Sequence, residues 1–196
     1  MAPPENPAAA PPAGRAASPF AGDALVAPDV RIDGWRLLLT PHNCFACGQL
    51  NANGLQLELH ARDEHCWTEL ALPERFEGWE GIAHGGIVCT ILDEVMAWAI
   101  VVRDEWGVTA RMTVDFKRPI PVGTRIRGEG WVVRARRKLF DTAARIMDLE
   151  SGTELATAVA VYMAVPEERK RELMARYAYR IVADVDAVGM PEKVDR

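Results

Sequence analysis

The stretch from Ile82 to Val102, IAHGGIVCTILDEVMAWAIVV, restricts this chain more than any other segment. It predicts a helix from about Gly85 to Val102 that is apolar nearly all round, so other structure must enclose it. Beyond the opening His84, its only residues of the charged types are Asp93 and Glu94. A carboxylate inside a packed helix is costly unless something pairs with it or uses it. His84-Gly85-Gly86 predicts a close backbone turn into the helix start, where unpaired N–H groups and the positive dipole end favour a developing anion. An anion cradle and an enclosed acid on one helix point to acyl-transfer chemistry.

The spacing adds a second constraint. Nine helical residues rise roughly 13.5 Å, so one helix cannot bring His84's turn and Asp93 to the same carbonyl. Two antiparallel copies can, which predicts a two-fold dimer with composite sites at its interface. The alternative is an Asp93 satisfied by a neighbouring hydroxyl or backbone group. Glu94 points about 100° away round the helix and reads as a helix-edge residue or part of a structural ion pair.

Residues 1–22 are rich in Pro and Ala and read as a disordered extension. Residues 23–54 form a lead-in with Ile32, Trp35 and Leu37 to Leu39 available to pack, followed by the loop PHNCFACGQLNAN. A domain is expected over 55–165. Strands fit LQLELHA, with Leu55, Leu57 and Leu59 on one face, then Cys66 to Leu72, with Pro73 to Gly81 as a connection. After the helix, VTARMTVDFK places Val108, Ala110, Met112, Val114 and Phe116 on one face. Strands follow at Thr124 to Arg134, Lys138 to Leu149 and Thr153 to Val165, the last two joined by a Ser151-Gly152 turn. In the final strand Leu155, Thr157, Val159, Val161 and Met163 face one way and alanines the other. Residues 166–196 read as a charged helix and a polar tail. One enclosed helix wrapped by a mostly antiparallel sheet is an α+β arrangement.

A net charge of -5 argues against a general nucleic-acid binder, and no apolar flank is long enough to span a bilayer. The N-terminus lacks a secretion pattern, and four cysteines do not make a disulfide framework. A cytoplasmic location is the expectation.

These residues resemble a known family. The element order is similar to the hotdog fold, and HGGIVCTILDEVMAWA looks like the signature of hotdog acyl-CoA thioesterases of the phenylacetate-pathway type and of thioesterase-superfamily members 4 and 5. VTARMTVDFKRPIPVGT is similar to that family's strand and Arg-Pro corner, and CFACGQLNANGLQLEL resembles a Cys-rich lead-in of related proteins. The resemblance covers about residues 42–165. It implies hydrolysis of an acyl-CoA to a carboxylic acid and free coenzyme A, with no cofactor, in a homodimer that could pair into a tetramer. Asp93 would activate water or attack directly, and Thr109 would orient water or acid. The N–H of Gly86, with Gly85, would hold the thioester oxygen, while His84 would touch the thioester or only fix the turn. Two alternatives stay open: a hotdog hydratase or dehydratase on acyl thioesters, and a non-catalytic acyl-CoA-binding module.

Coenzyme A carries phosphates, so Arg134, Arg136, Arg137 and Lys138 are candidates for its nucleotide part, with Lys117 and Arg118 near the Pro corner. The competing reading is a solvated hairpin end. Arg169, Lys170 and Arg171 alternate with glutamates as an ordinary solvated face. Trp79 is a candidate substrate contact; Met96 and Trp98 could line an acyl pocket or fill core. Cys44 and Cys47 form a CxxC after His42, but zinc needs four ligands. The only candidates nearby in sequence, His60, His65 and Cys66, have irregular spacing. No metal is therefore expected, and the loop is read as packing beside an acyl channel. Cys89 reads as small core filling.

Overall fold

The structure is a computed structural model and describes residues 35–183. The expected extension at 1–22, Ile32 and the tail from 184 onward lie outside the described residues. The elements are β1 (Trp35–Leu39), β2 (His60–Arg62), β3 (His65–Ala71), β4 (Glu77–Trp79), β5 (Ile82–Ala83), α1 (Gly85–Val101), β6 (Gly107–Phe116), β7 (Arg125–Arg136), β8 (Leu139–Asp148), β9 (Glu154–Ala164), α2 (Glu167–Arg176) and β10 (Tyr179–Ala183). Eight strands make one antiparallel sheet in the order β10-β1-β2-β3-β7-β8-β9-β6. Helix α1 lies across β7 and reaches β3, β6, β8 and β9. This is the hotdog fold.

Two glycines on β7 explain how α1 gets so close. A Cβ on Gly130 would lie 2.7 Å from the carbonyl carbon of Val95, and one on Gly128 would lie 2.7 Å from Ile91 Cγ2. On β9 the alanine face does the same work: Ala156, Ala158 and Ala160 join the core with Ile91, Leu92, Val95, Met96 and Ile100 of the helix. Small residues in the sheet let the large residues of the helix interdigitate without voids. Met96 and Trp98 are core, and Thr142 sits against the Met96 sulfur at 3.2 Å.

The structure departs from the sequence reading in four places. Leu55, Leu57 and Leu59 are buried and alternate with exposed residues as expected, but only His60–Arg62 joins the ladder. Gln56 sits at φ 49, and the Leu55 and Leu57 N–H groups donate to Phe45 and Ala46 of the preceding loop instead of to a strand. The lead-in Trp35–Leu39 is itself a strand, and Tyr179–Ala183 of the expected polar tail pairs with it. Such a pairing joins residues more than 130 apart, beyond any local pattern. Helix α2 contributes no buried residue, in keeping with a solvated face.

The fourth departure matters for the site. The register of β6 on β9 shifts between Thr109 and Arg111, so Ala110 is an extra, bulged residue. A bulge puts two residues opposite one and reverses the side-chain alternation beyond it. Val108 and Ala110 therefore do not share the face of Met112 and Val114; Thr109 does.

Candidate active site

Helix α1 begins at His84, whose ring caps its own helix: the Gly86 N–H donates to His84 Nδ1 at 2.9 Å. The turn is held from both sides, because the Ala83 N–H donates to Ile120 O and the His84 N–H donates to Phe76 O. The third and fourth N–H groups, from Ile87 and Val88, reach His84 O. The Gly85 N–H has no partner among the described residues. A Cβ on Gly86 would lie 3.0 Å from His84 Nδ1, so a side chain there would displace the capping ring.

Two turns further on, α1 opens. Gly86, Cys89, Thr90, Asp93 and Ala97 are not buried, whereas Val88, Ile91, Leu92, Val95 and Met96 are. Within the single chain the sheet encloses one side of the helix and leaves the other open. Asp93 lies on the open side, and its Oδ1 accepts two hydrogen bonds. Thr109 Oγ1 donates at 2.8 Å, and Tyr162 OH lies 2.7 Å away and also 2.9 Å from the Asp93 carbonyl oxygen. Oδ2 has no donor among the described residues. The bulge at Ala110 is what turns Thr109 inward to make its bond.

Tyr162 was not singled out from the sequence, although a single aromatic hydroxyl in the alanine face of β9 was the available signal. It is 1% exposed. Burial, then the negative charge of Asp93, push its phenol well above the ordinary range, so it stays an O–H donor. A donor of this kind fixes the rotamer of the carboxylate it binds. Tyr162→Phe is expected to lower any Asp93-dependent turnover roughly 10–100-fold, matching the 1.5–3 kcal/mol of a hydrogen bond to a charged group. KM should change little, and steady-state kinetics on the folded variant checks both.

Glu94 is half-buried, points away from this site and makes no ion pair among the described residues. Its Oε1 accepts from Trp98 Nε1 at 2.9 Å, and its Oε2 lies 4.0 Å from Cys44 Sγ. Burial, then the Cys44 charge, raise its carboxyl to about 7.

The remaining predicted residues are dispersed. Gly85 lies against the Phe116 ring, 3.5 Å from where its Cβ would be. Trp79 is 84% exposed on β4, beside Gly78, whose strand packs on His84. Arg134 and Arg136 converge on Asp141: Arg134 Nε at 3.0 Å from Oδ2 and Arg136 at 2.6 Å from Oδ1. Asp141 is buried, so these two arginines first neutralise a carboxylate of their own hairpin. Arg137 and Lys138 are exposed at the hairpin tip and carry no such partner among the described residues. Lys117 pairs with Glu154.

Residues 80–155 match the family model described as the thioesterase superfamily. Over those residues the match agrees with the hotdog fold of the structure. Among solved structures, this hotdog domain is similar to a crystallised thioesterase superfamily protein at 21% identity and a TM-score of 0.59. That match covers 62% of this chain and 60% of the other, so the chain spans less than two thirds of that relative. Zebra fish thioesterase superfamily member 2 is 18% identical at a TM-score of 0.56, over 61% of this chain and 90% of that one. A hypothetical thioesterase from Streptococcus pneumoniae TIGR4, solved with coenzyme A, is 19% identical at a TM-score of 0.53, over 55% and 84%. At these identities the likeness is one of fold. Among curated protein sequences, none matches this chain.

Proposed function

We propose that this chain is an acyl-CoA thioesterase that works as a two-fold dimer. The observation that carries the reading is Asp93: a carboxylate on the open face of α1, one oxygen held by Thr109 and Tyr162 and the other without a donor among the described residues. Two fixed donors on Oδ1 leave Oδ2 aimed as base or nucleophile. As base, it takes a proton from water while the water oxygen bonds to the thioester carbon. The carbonyl oxygen becomes an anion, the C–S bond then breaks, and the thiolate leaves as coenzyme A. The coenzyme A held by the Streptococcus pneumoniae relative makes acyl-CoA the first substrate class to test.

The anion needs donors. The Gly85 N–H has no partner among the described residues, and that of Gly86 becomes available if the His84 ring turns away. Both lie too far along the helix to serve Asp93 of the same copy. Strand β6 suggests the second copy: it is a ten-residue sheet edge with exposed Val108 and Phe116, and such an edge invites pairing. On β6, Thr109 marks the level of Asp93 and Phe116 the level of Gly85. Two β6 strands paired antiparallel about Met112 and Thr113 would set each Asp93 near the glycine turn of the second copy.

Release of free thiol from a panel of acyl-CoAs tests the activity, and tight binding of acyl-CoA with no thiol release would overturn it. Mixing Asp93→Asn subunits with Gly86→Val subunits tests the shared site. Activity should return in verified heterodimers, and none returning would rule out composite sites. Arg137→Ala with Lys138→Ala is expected to raise KM for acyl-CoA roughly two- to five-fold, the scale of exposed ion pairs. KM for a short thioester without the nucleotide should stay unchanged.

A further inference from the structure

The loop between β1 and β2 brings together three donors that the Asp93 chemistry does not use. His42, Cys44 and Cys47 place their nitrogen and sulfur ligand atoms all within 4.8 Å of one another. We propose that these three residues bind a zinc ion, with Glu94 of α1 as the fourth ligand. The proposal stands apart from the thioesterase reading.

Backbone geometry builds the cluster. The Gly48 N–H donates to Cys44 O at 3.0 Å, and the Leu50 N–H donates to His42 O at 3.1 Å, folding the loop back on itself. A Cβ at Gly48 would lie 2.4 Å from the Cys44 nitrogen and 2.5 Å from His42 O, so only glycine permits this turn. The His42 ring is oriented for a metal. Its Nδ1 lies 2.7 Å from the Thr40 carbonyl, which must receive a proton from it. The unprotonated nitrogen is then Nε2, which faces Cys47 Sγ at 3.4 Å. Metal-bound histidines characteristically anchor their far N–H to a carbonyl in this way.

Glu94 meets the loop from the helix side. Its Oε2 lies 4.0 Å from Cys44 Sγ, while its Oε1 is held by the Trp98 indole N–H. Zinc bonds of about 2.3 Å to sulfur and 2.0–2.1 Å to nitrogen or oxygen imply ligand separations of about 3.3–3.8 Å in a tetrahedron. The His42–Cys47 separation of 3.4 Å already fits, while Glu94, outside the 4.8 Å cluster, would swing in from its 4.0 Å contact with Cys44 Sγ. Two thiolates with an imidazole select a borderline-soft ion over magnesium or calcium. Four protein ligands leave no open position, so the ion would be structural, tying the loop to α1 one residue past Asp93.

The expectation of no metal came from seeking the fourth ligand nearby in the sequence. Those candidates are engaged elsewhere: His60 stacks on Trp67, His65 stacks on Trp131, and Cys66 is in the core. Glu94 is fifty residues from Cys44, and only the fold brings it there.

Elemental analysis of the full chain, purified under reducing conditions, is expected to find about one zinc per chain, since a preformed site of this kind binds tightly. Cobalt substitution should give a thiolate charge-transfer band. Cys44→Ser and Cys47→Ser should lose both signals, while Cys89→Ser keeps them. Glu94→Gln should weaken zinc binding about ten-fold or more, on the scale seen when ligand support is lost. If the cysteine variants fail to fold, stripping the wild-type chain with a chelator and measuring zinc uptake by native mass spectrometry gives the same answer. A reduced chain that neither carries nor takes up zinc would overturn the site, as would equal uptake by a folded Cys44→Ser chain. Undiminished affinity in Glu94→Gln would remove Glu94 from it.

Discussion

Asp93→Asn is expected to lower the rate of thiol release from acyl-CoA by at least about 100-fold, the lower end of what a positioned acid or base contributes. The amide keeps the shape of the carboxylate and can still accept at its oxygen from Thr109 and Tyr162, so the fold should persist. What is lost is the anionic oxygen that draws a proton from water or attacks the carbonyl. The loss should appear in kcat, with KM little changed, because the group acts in the transition state. Stopped assays of thiol release with matched circular dichroism and sizing data check this. Turnover within a few-fold of wild type would take Asp93 out of the mechanism.

Gly130→Ala is expected to have the largest effect on stability. Its Cβ would meet backbone atoms of α1, 2.7 Å from Val95 C and 2.8 Å from Met96 N, and backbone cannot step aside as a side chain can. Overpacking of this sort typically costs about 1–3 kcal/mol. At the upper end, and at about 2–4 °C per kcal/mol for a chain of this size, Tm should fall by roughly 6–12 °C. Gly128→Ala should cost less, since its obstacle is the Ile91 Cγ2 methyl. Thermal unfolding of both variants tests the contrast. A Gly130→Ala chain melting with the wild type would mean that α1 does not rest so closely on β7.

Asp93 shows how far local pattern reaches. An acid in an apolar helix stands out in any reading, and the glycine turn before it marks a helix start. Thr109 entered through family resemblance, because simple alternation along β6 places it on the wrong face. Only the bulge at Ala110 turns it inward, and a bulge is set by the pairing of β6 with β9. Tyr162 was missed for the same reason: in the sequence it is one aromatic residue in a strand, and its meeting with Asp93 spans 69 positions. The arginines show a partner that local pattern does not reveal. Arg134 and Arg136 look like a free basic cluster until the hairpin sets Asp141 between them.

The sequence alone determined the central helix, its capped glycine start and the long strands after it, because hydrophobic periodicity and turn chemistry act over a few residues. Tertiary structure decided which side of that helix stays open, which hydroxyls hold Asp93, and which carboxylate joins the cysteine loop. Those contacts join positions tens of residues apart, and their partners are chosen by sheet register and by how closely α1 can approach β7.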